Sequence, residues 1–238
     1  MADRSIGLVA DLWRYPVKSF GGERVRKIFV GPFGFHGDRR FAAITPDGSV
    51  VTARRKSAIL GFRARFPDPD HIERPSVIAP NGQQLEIDDP ELSALLSAEL
   101  GHDAQMARSG GGVFDAAPIH IVTDTSLRQM DEWVGQELDV ARFRPNIVIE
   151  MDPDLPAFAE ADWVGRRLEI GQLSISLISP TERCVVTTID PDTLDRDRLV
   201  LAELAAHRDN LFGLYGQVVT PGWLRVGDPI MLRSGLVP

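Results

Sequence analysis

Cys184 is the only cysteine in the 238 residues, and it lies within the segment TERCVVTTID at residues 181–190. A single thiol excludes an internal disulfide, an iron–sulfur cluster and a cysteine-rich zinc site. Three interpretations remain: a buried small hydrophobic residue, a nucleophile, or a thiolate ligand of a metal whose other ligands come from elsewhere. Arg183 places a cation beside the sulfur and favours the thiolate. The β-branched run at 185–189 predicts a strand that would hold the sulfur on rigid backbone.

Cationic and amide side chains also follow or begin several predicted strands. They lie in four short segments: Tyr15-Pro-Val-Lys-Ser19, Gly37-Asp-Arg39, Val51-Thr-Ala-Arg54 and Arg144-Pro-Asn146. Arginine binds phosphate through paired hydrogen bonds, and lysine binds it as a point charge. Each segment alone is more typical of a cap or a surface turn. Together they indicate loops that gather over the mouth of a barrel, where ligands bind.

Other kinds of site have weak support. The histidines are scattered and have no metal-binding spacing: His36, His71, His102, His120 and His207. A zinc enzyme is therefore disfavoured. Within its apolar strand, His120 is more typical of a surface or hydrogen-bonded core histidine than of a ligand. The glycine-rich loops at 31–34 and 109–112 lack the dinucleotide spacing and the P-loop lysine, and no G-x-S-x-G elbow is present.

Charge is distributed unevenly along the chain. Residues 1–65 carry a balance of +8 and residues 66–238 a balance of −16, for a net charge of −8. The basic N-terminal part is either a solvated face or a local anion pocket in an acidic protein. The net charge argues against a nucleic-acid or anionic-membrane surface, and no apolar run reaches the length of a membrane span. A single unpaired cysteine and the lack of an export signal predict a cytoplasmic protein.

The elements that must position these residues are mostly short strands. In the first part of the chain, turn residues at 45–48 and 80–82 join predicted strands as hairpins. The predicted strands cover residues 6–13, 25–30, 40–44, 49–53, 61–66, 76–79 and 84–87. Regular short strands with Gly and Pro turns indicate a small barrel or sandwich. The sequence therefore predicts a small β-barrel-like domain over residues 1–87.

A helix is predicted next, and it opens the second part of the chain. It begins after Asp88-Asp89, continues with leucines at helical spacing, and ends at Gly101. Further helices are predicted at 126–134 and 199–207. Further strands are predicted at 118–122, 147–150, 167–170, 173–179, 184–189, 217–220 and 229–233. The fold class is thus mainly β with some α, and residues 88–238 are predicted to form a β-barrel domain with covering helices.

Six sequence motifs occur in an order that resembles a known family. They are Y-P-V-K-S, G-D-R, V-T-A-R, R-F-R-P-N-I-V-I, C-x-x-T-T-x-D-P-D-T and V-G-D-P. In this order they resemble the MOSC proteins, and among those the amidoxime reducers and their bacterial counterparts. The resemblance runs from Gly7 to Leu232. It implies an N-terminal MOSC β-barrel domain at 1–87 and a MOSC domain at 88–238.

The resemblance implies a molybdenum–molybdopterin cofactor whose metal takes Cys184 as a ligand, and thiolate suits such a soft metal. It implies that Lys18, Ser19 and Arg39 hold the pterin and its phosphate, that Arg144, Asn146 and Arg183 hold the pterin from the other domain, and that Asp115 and Tyr215 lie in the cofactor pocket. Ala116 and Ala117 depart from the amidoxime reducers, which have hydroxyl residues there. Two possible hydrogen bonds to the cofactor are therefore lost.

The implied activity is reduction of small N-hydroxylated substrates such as amidoximes, hydroxylamines or N-hydroxypurines. With no cysteine cluster, the chain would need a separate electron-donor protein, either a ferredoxin or a flavin/cytochrome b5-type reductase. A sulfur-carrier or cofactor-handling module that forms a persulfide on Cys184 remains an alternative. A non-catalytic structural protein is a third possibility. No nucleic-acid or membrane partner is expected.

Overall fold

Strands dominate the chain and confirm the predicted mainly β fold. The computed structural model describes residues 3–68 and 71–234, and these contain sixteen strands and three α-helices. The strands are β1 (Arg4–Arg14), β2 (Glu23–Val25), β3 (Lys27–Gly31), β4 (Gly34–Phe35), β5 (Phe41–Ile44), β6 (Arg63–Arg65), β7 (Ser76–Ile78), β8 (Gln84–Glu86), β9 (Gln105–Arg108), β10 (Ile119–Thr123), β11 (Ile147–Met151), β12 (Arg167–Ile170), β13 (Leu173–Glu182), β14 (Leu211–Thr220), β15 (Gly222–Arg225) and β16 (Pro229–Arg233). The helices are α1 (Pro90–Leu100), α2 (Asp124–Val134) and α3 (Arg198–Arg208).

Seven strands close into a barrel. Their order is β11-β10-β14-β13-β12-β16-β1, and β11 also pairs with β1, which completes the ring. Aliphatic side chains from all seven strands fill the interior. Gly7 lies at a register shift in the pairing of β1 with β16. Its φ of +141° and the Glu150 carbonyl oxygen, 1.9 Å from any added Cβ, restrict this position to glycine.

A second core, called here the N-terminal core, is built around the sheet β6-β7-β8, the pair β5-β9 and helix α1. The predicted helix signals are confirmed in α1. The Asp89 carboxylate accepts the Glu91 N–H, Pro90 occupies the first turn, and Gly101 ends the helix in the left-handed conformation. Its leucines face this core.

The two cores do not separate at one point of the sequence. Strand β1 comes first in the chain but belongs to the barrel, whereas α1 packs with the N-terminal core. Helices α2 and α3 contact each other and cover the barrel from outside. The boundary between residues 87 and 88 stays a prediction. No helix in the described part of the chain is long and apolar enough to cross a membrane.

The strand predicted at 184–189 is wrong. Strand β13 ends at Glu182, and a 3-10 turn covers Val185–Thr188 with Cys184 at its N-terminus. The hydroxyl of Thr187 donates to the Cys184 carbonyl at 2.9 Å, and the hydroxyl of Thr188 donates to the next carbonyl at 2.7 Å. These local hydrogen bonds compete with sheet pairing and override the β propensity of the run.

The strand predicted at 49–53 is also wrong. Only Val50 forms an isolated bridge, to Ile44. The Thr52 carbonyl then accepts two backbone N–H groups, those of Arg55 and Lys56, which makes a turn. The other predicted elements exist, although the strand predicted at 25–30 is divided into β2 and β3, and β14 starts six residues earlier than predicted.

Candidate functional site

A cleft lies between the barrel and the N-terminal core. The structure places all nine predicted site residues around it: Lys18, Ser19, Arg39, Asp115, Arg144, Asn146, Arg183, Cys184 and Tyr215. They come from the turn after β1, the segment before β5, the loop before β10, the segment before β11, the residues just after β13, and the middle of β14. The roles of these residues stay predictions.

The thiol of Cys184 is half-buried and accessible from the cleft. Arg54 reaches it from the turn that follows Thr52. A hydrogen bond to the Cys184 sulfur, together with the charge there, raises the pKa of Arg54. This arginine belongs to the V-T-A-R motif, but sequence reasoning did not include it among the site residues, because an exposed arginine in a turn is usually solvated.

Three residues of the site adopt left-handed backbone conformations. Ser19, Arg39 and Arg144 have φ values of 66°, 50° and 52°. Non-glycine residues in this region carry strain that persists only where the surroundings enforce it, and such residues cluster at functional sites. For Ser19, one enforcing contact is the hydrogen bond in which its Oγ accepts the N–H of Ala53 at 3.1 Å. All three residues line the cleft.

Arg39 is held by several partners. Its guanidinium pairs with the fully buried carboxylate of Asp38 and donates to the Arg144 carbonyl at 3.3 Å and to Asn146 Oδ1 at 3.4 Å. Burial would lower the pKa of Arg39, but Asp38 outweighs it and the pKa is raised. Asn146 Nδ2 donates to the Trp13 carbonyl at 3.3 Å, which fixes the amide. Arg39 is therefore a permanent, oriented cation.

Arg144 is half-buried, and the hydrogen-bond partner of its guanidinium is a neutral carbonyl. Its Nη1 donates to the Phe20 carbonyl at 2.7 Å. Burial, and then the neighbouring Arg39, lower the pKa of Arg144 to about 10. It remains charged at neutral pH. An uncompensated buried cation is unfavourable by itself, so an anionic ligand would be stabilised there.

His120 is one of the residues that line the cleft, and it contacts Arg183. It is 4% exposed, and burial followed by the charge of Arg183 holds its pKa well below the usual value. With the proton on Nδ1, the neutral ring donates to the Arg144 carbonyl and its Nε2 accepts from Arg183 Nη1, each at 3.4 Å. The Phe212 carbonyl oxygen also lies 3.4 Å from Nε2. Arg183 Nη2 donates to the Phe143 carbonyl at 2.8 Å.

The sequence interpretation of His120 as a satisfied core histidine misses its place on the cleft. Its partner across the sheet is Tyr215, whose ring centroid lies 5.7 Å away. Burial raises the pKa of Tyr215, so its hydroxyl is a neutral donor beside Cys184. The sequence signal for this place is a histidine within an otherwise apolar strand, and the structure buries every residue of that strand.

The cleft is strongly cationic. Two acidic residues line it, Asp115 and Glu182, whereas its basic residues are Lys18, Arg39, Arg54, Arg144 and Arg183. Among the residues that the structure describes, no group of three or more His, Cys, Asp or Glu side chains is placed to hold a metal ion. The arrangement suits an anionic ligand and can offer one soft sulfur to a metal that such a ligand brings with it.

Comparison with known families decides what kind of protein this is. The model of the MOSC domain matches residues 103–231, and the model of the MOSC N-terminal beta barrel domain matches residues 6–110. The chain belongs to the MOSC family. The resemblance predicted from the six motifs is confirmed.

Several MOSC relatives align with nearly all of the chain. Mitochondrial amidoxime reducing component 2 of Rattus norvegicus is 35% identical, with 95% of this chain and 83% of that protein covered. The protein of the same name from Homo sapiens is 29% identical over 95% and 84%. Mitochondrial amidoxime-reducing component 1 of Homo sapiens is 25% identical over 96% and 84%.

A solved structure shares the fold. The YuaD protein from Bacillus subtilis superposes with a TM-score of 0.53 at 14% identity, and 98% of each chain is covered. At this identity the likeness concerns the fold alone. It agrees with a MOSC N-terminal barrel followed by a MOSC domain.

Proposed function

We propose that this protein is a molybdenum-cofactor-dependent reductase of small N-hydroxylated compounds, and that Cys184 is the protein ligand of the metal. One observation supports this most directly. The chain's single thiol opens into a cleft lined by five basic residues, and the cleft is built from both parts of the chain. The relatives named amidoxime reducing components support the same class of substrate.

The cleft residues fit a molybdopterin. Buried nitrogen atoms of Arg144 (Nη2) and Arg183 (Nε) have no hydrogen-bond partner among the described residues. Donors that lack a partner are costly, and acceptor atoms of a pterin or its phosphate would satisfy them. A thiolate is the donor that a soft metal prefers. Lys18 and Arg39 would neutralise the phosphate, and Asn146 would contact the pterin.

When bound, the molybdenum centre would supply two-electron removal of oxygen from the substrate N–O bond. The residues of the chain contribute binding and orientation. The Tyr215 hydroxyl stays protonated and can donate a hydrogen bond within the cleft. Arg54, at the mouth, can contact the oxygen of an entering substrate. Since one cysteine cannot bind a four-cysteine cluster, electrons would come from a separate ferredoxin or flavin/cytochrome b5-type reductase.

Metal analysis of protein from a molybdenum-replete host tests this function. We expect about one molybdenum per chain, and reduction of an amidoxime with an artificial electron donor. Cys184→Ser should lower both the molybdenum content and the activity at least about tenfold, since the hydroxyl is a poor ligand for a soft metal. Arg55→Ser, at an exposed position next to Arg54, is the control and should retain both.

Full molybdenum content and activity in Cys184→Ser would overturn the ligand role. A cyanolysable sulfur on Cys184, in wild-type protein that contains no molybdenum, would overturn the reductase and identify the sulfur carrier instead.

A further inference from the structure

Tyr15 lies behind the cleft and does not line it. It is 1% exposed, and two guanidinium groups lie over its ring. The Arg39 Cζ is 4.9 Å from the ring centroid, and the Arg144 Cζ is 4.3 Å from it. Both arginines line the cleft on their other side. One aromatic ring therefore contacts two of the cations that face the ligand.

These two cations are close to each other. Arg39 Nη2 is 3.3 Å from the carbonyl oxygen of Arg144, and the charge of Arg39 contributes to the lowered pKa of Arg144. Asp38 forms an ion pair with Arg39, whereas Arg144 has no ion pair with any carboxylate in the described residues. Without a compensating contact, like charges in a buried site would separate. The negative π face of a desolvated aromatic ring is such a contact.

The position of Tyr15 is fixed independently of its hydroxyl. Its N–H donates to Asp38 Oδ1 at 2.7 Å, and its carbonyl accepts the N–H of Arg39 at 2.6 Å. A Cβ at Gly22 would lie 2.5 Å from the Tyr15 ring, so only glycine allows the ring to pack there. The buried hydroxyl has no hydrogen-bond partner among the described residues. The ring, not the hydroxyl, is what the site uses.

From this geometry we propose that Tyr15 is a positioning residue whose ring holds Arg39 and Arg144 together, so that both face an anion in the cleft. The identity of that anion as a cofactor phosphate rests on the proposed function. The pairing of the two arginines through the ring does not rest on the proposed function.

Binding of inorganic pyrophosphate tests the proposal. The full chain is made in a host that lacks the molybdenum cofactor, and affinity is measured by calorimetry. Fluorination withdraws electron density from a ring and changes its volume little, so it weakens cation–π attraction selectively. Position 15 is replaced by phenylalanine and by its 4-fluoro, 3,5-difluoro and 3,4,5-trifluoro analogues. Tyr15→Leu removes the ring.

We expect Tyr15→Phe to keep the wild-type affinity within about twofold. The fluorinated series should weaken binding stepwise, reaching about tenfold for the trifluoro analogue and for Tyr15→Leu. Equal affinity throughout the fluorinated series would show that the ring acts only by packing and would overturn the proposal. So would a loss in Tyr15→Phe as large as that in Tyr15→Leu, or no binding of pyrophosphate by the wild type.

The failure of the proposed function is distinguishable from these outcomes. If the wild type binds pyrophosphate with the expected ring dependence but takes up no molybdenum in a replete host, the reductase proposal fails and the role of Tyr15 stands.

Discussion

The Nζ atom of Lys18 lies 2.8 Å from Oδ1 of Asp115, and this ion pair joins residues 97 positions apart across the cleft. Lys18 also donates to the Val113 carbonyl at 3.2 Å, and its side chain is nearly buried. Burial alone would raise the pKa of Asp115, but the hydrogen bond and charge of Lys18 outweigh it and the pKa is lowered. The pair fixes the loop before β10 against the turn after β1.

Replacing Lys18 should therefore change the titration of Asp115. In Lys18→Met we expect the pKa of Asp115 to rise, because desolvation is then opposed only by the more distant charges of Arg39 and Arg54. Lys18→Arg keeps the cation and is the matched control. The carboxyl carbon of Asp115 can be followed by NMR against pH. An unchanged pKa in Lys18→Met would contradict the pairing. Because Asp115 is largely exposed, unfolding free energy should change by less than about 1 kcal/mol.

Because His120 is buried, the folded protein should lose stability in acid. Its folded pKa is well below 6.5, whereas an unfolded histidine binds a proton near pH 6.5. The unfolded state therefore gains protons first as pH falls, and each pH unit below about 6.5 costs up to about 1.4 kcal/mol. In His120→Leu this term is absent. Urea unfolding between pH 7.5 and 5 should show the variant gaining stability relative to wild type as pH falls. A difference that is constant with pH would contradict the prediction.

The buried Glu160 should contribute a stability that falls, rather than rises, as pH increases. Burial raises its pKa, although the Ser126 and Thr123 hydroxyls donate to its carboxylate at 2.8 and 3.2 Å. Between the unfolded pKa of about 4.3 and the higher folded pKa, the folded state binds more protons, so its stability falls as pH rises. Glu160→Gln stays neutral. Its stability relative to wild type should increase from pH 4 to pH 7 in chemical unfolding, and a decrease would contradict the assignment.

Gly213 supports the placement of His120. A Cβ there would lie 2.4 Å from the Ile121 carbonyl oxygen and 2.7 Å from His120 Nε2, and φ is +77°. Gly48 has a similar φ of +83°, but a Cβ there would meet no atom within 4 Å. Gly48→Ala should cost about 1 kcal/mol of unfolding free energy from its backbone alone. Gly213→Ala should cost about 1–3 kcal/mol more because of the overlap. Equal costs, measured by thermal or chemical unfolding, would contradict the packing.

Features of the fold and of the site that arise from local interactions can be predicted from the sequence, whereas features that depend on distant segments cannot. The strands of the barrel and the caps of α1 follow from periodicity and from local hydrogen bonds near Asp89, so the sequence predicts them. The nine site residues were brought together by the resemblance of motifs, since no spacing relates Lys18 to Asp115. The turn after Cys184 was mispredicted because threonine hydroxyls bond to the backbone locally. The place of His120 on the cleft was missed because the partners of its ring, Arg144, Arg183 and Phe212, come from distant segments.

Strand β1 has consequences for the order in which the protein can assemble. It is hydrogen-bonded to β11 and to β16, and it leads directly into the turn that carries Tyr15 and Lys18. β1 precedes both β11 and β16 in the chain, so it lacks one or both of these neighbours until β16 has been synthesised. The wall of the cleft that depends on β1 is incomplete during that time. The cleft can therefore be completed only after β16 has been made, and until then β1 carries an unpaired edge.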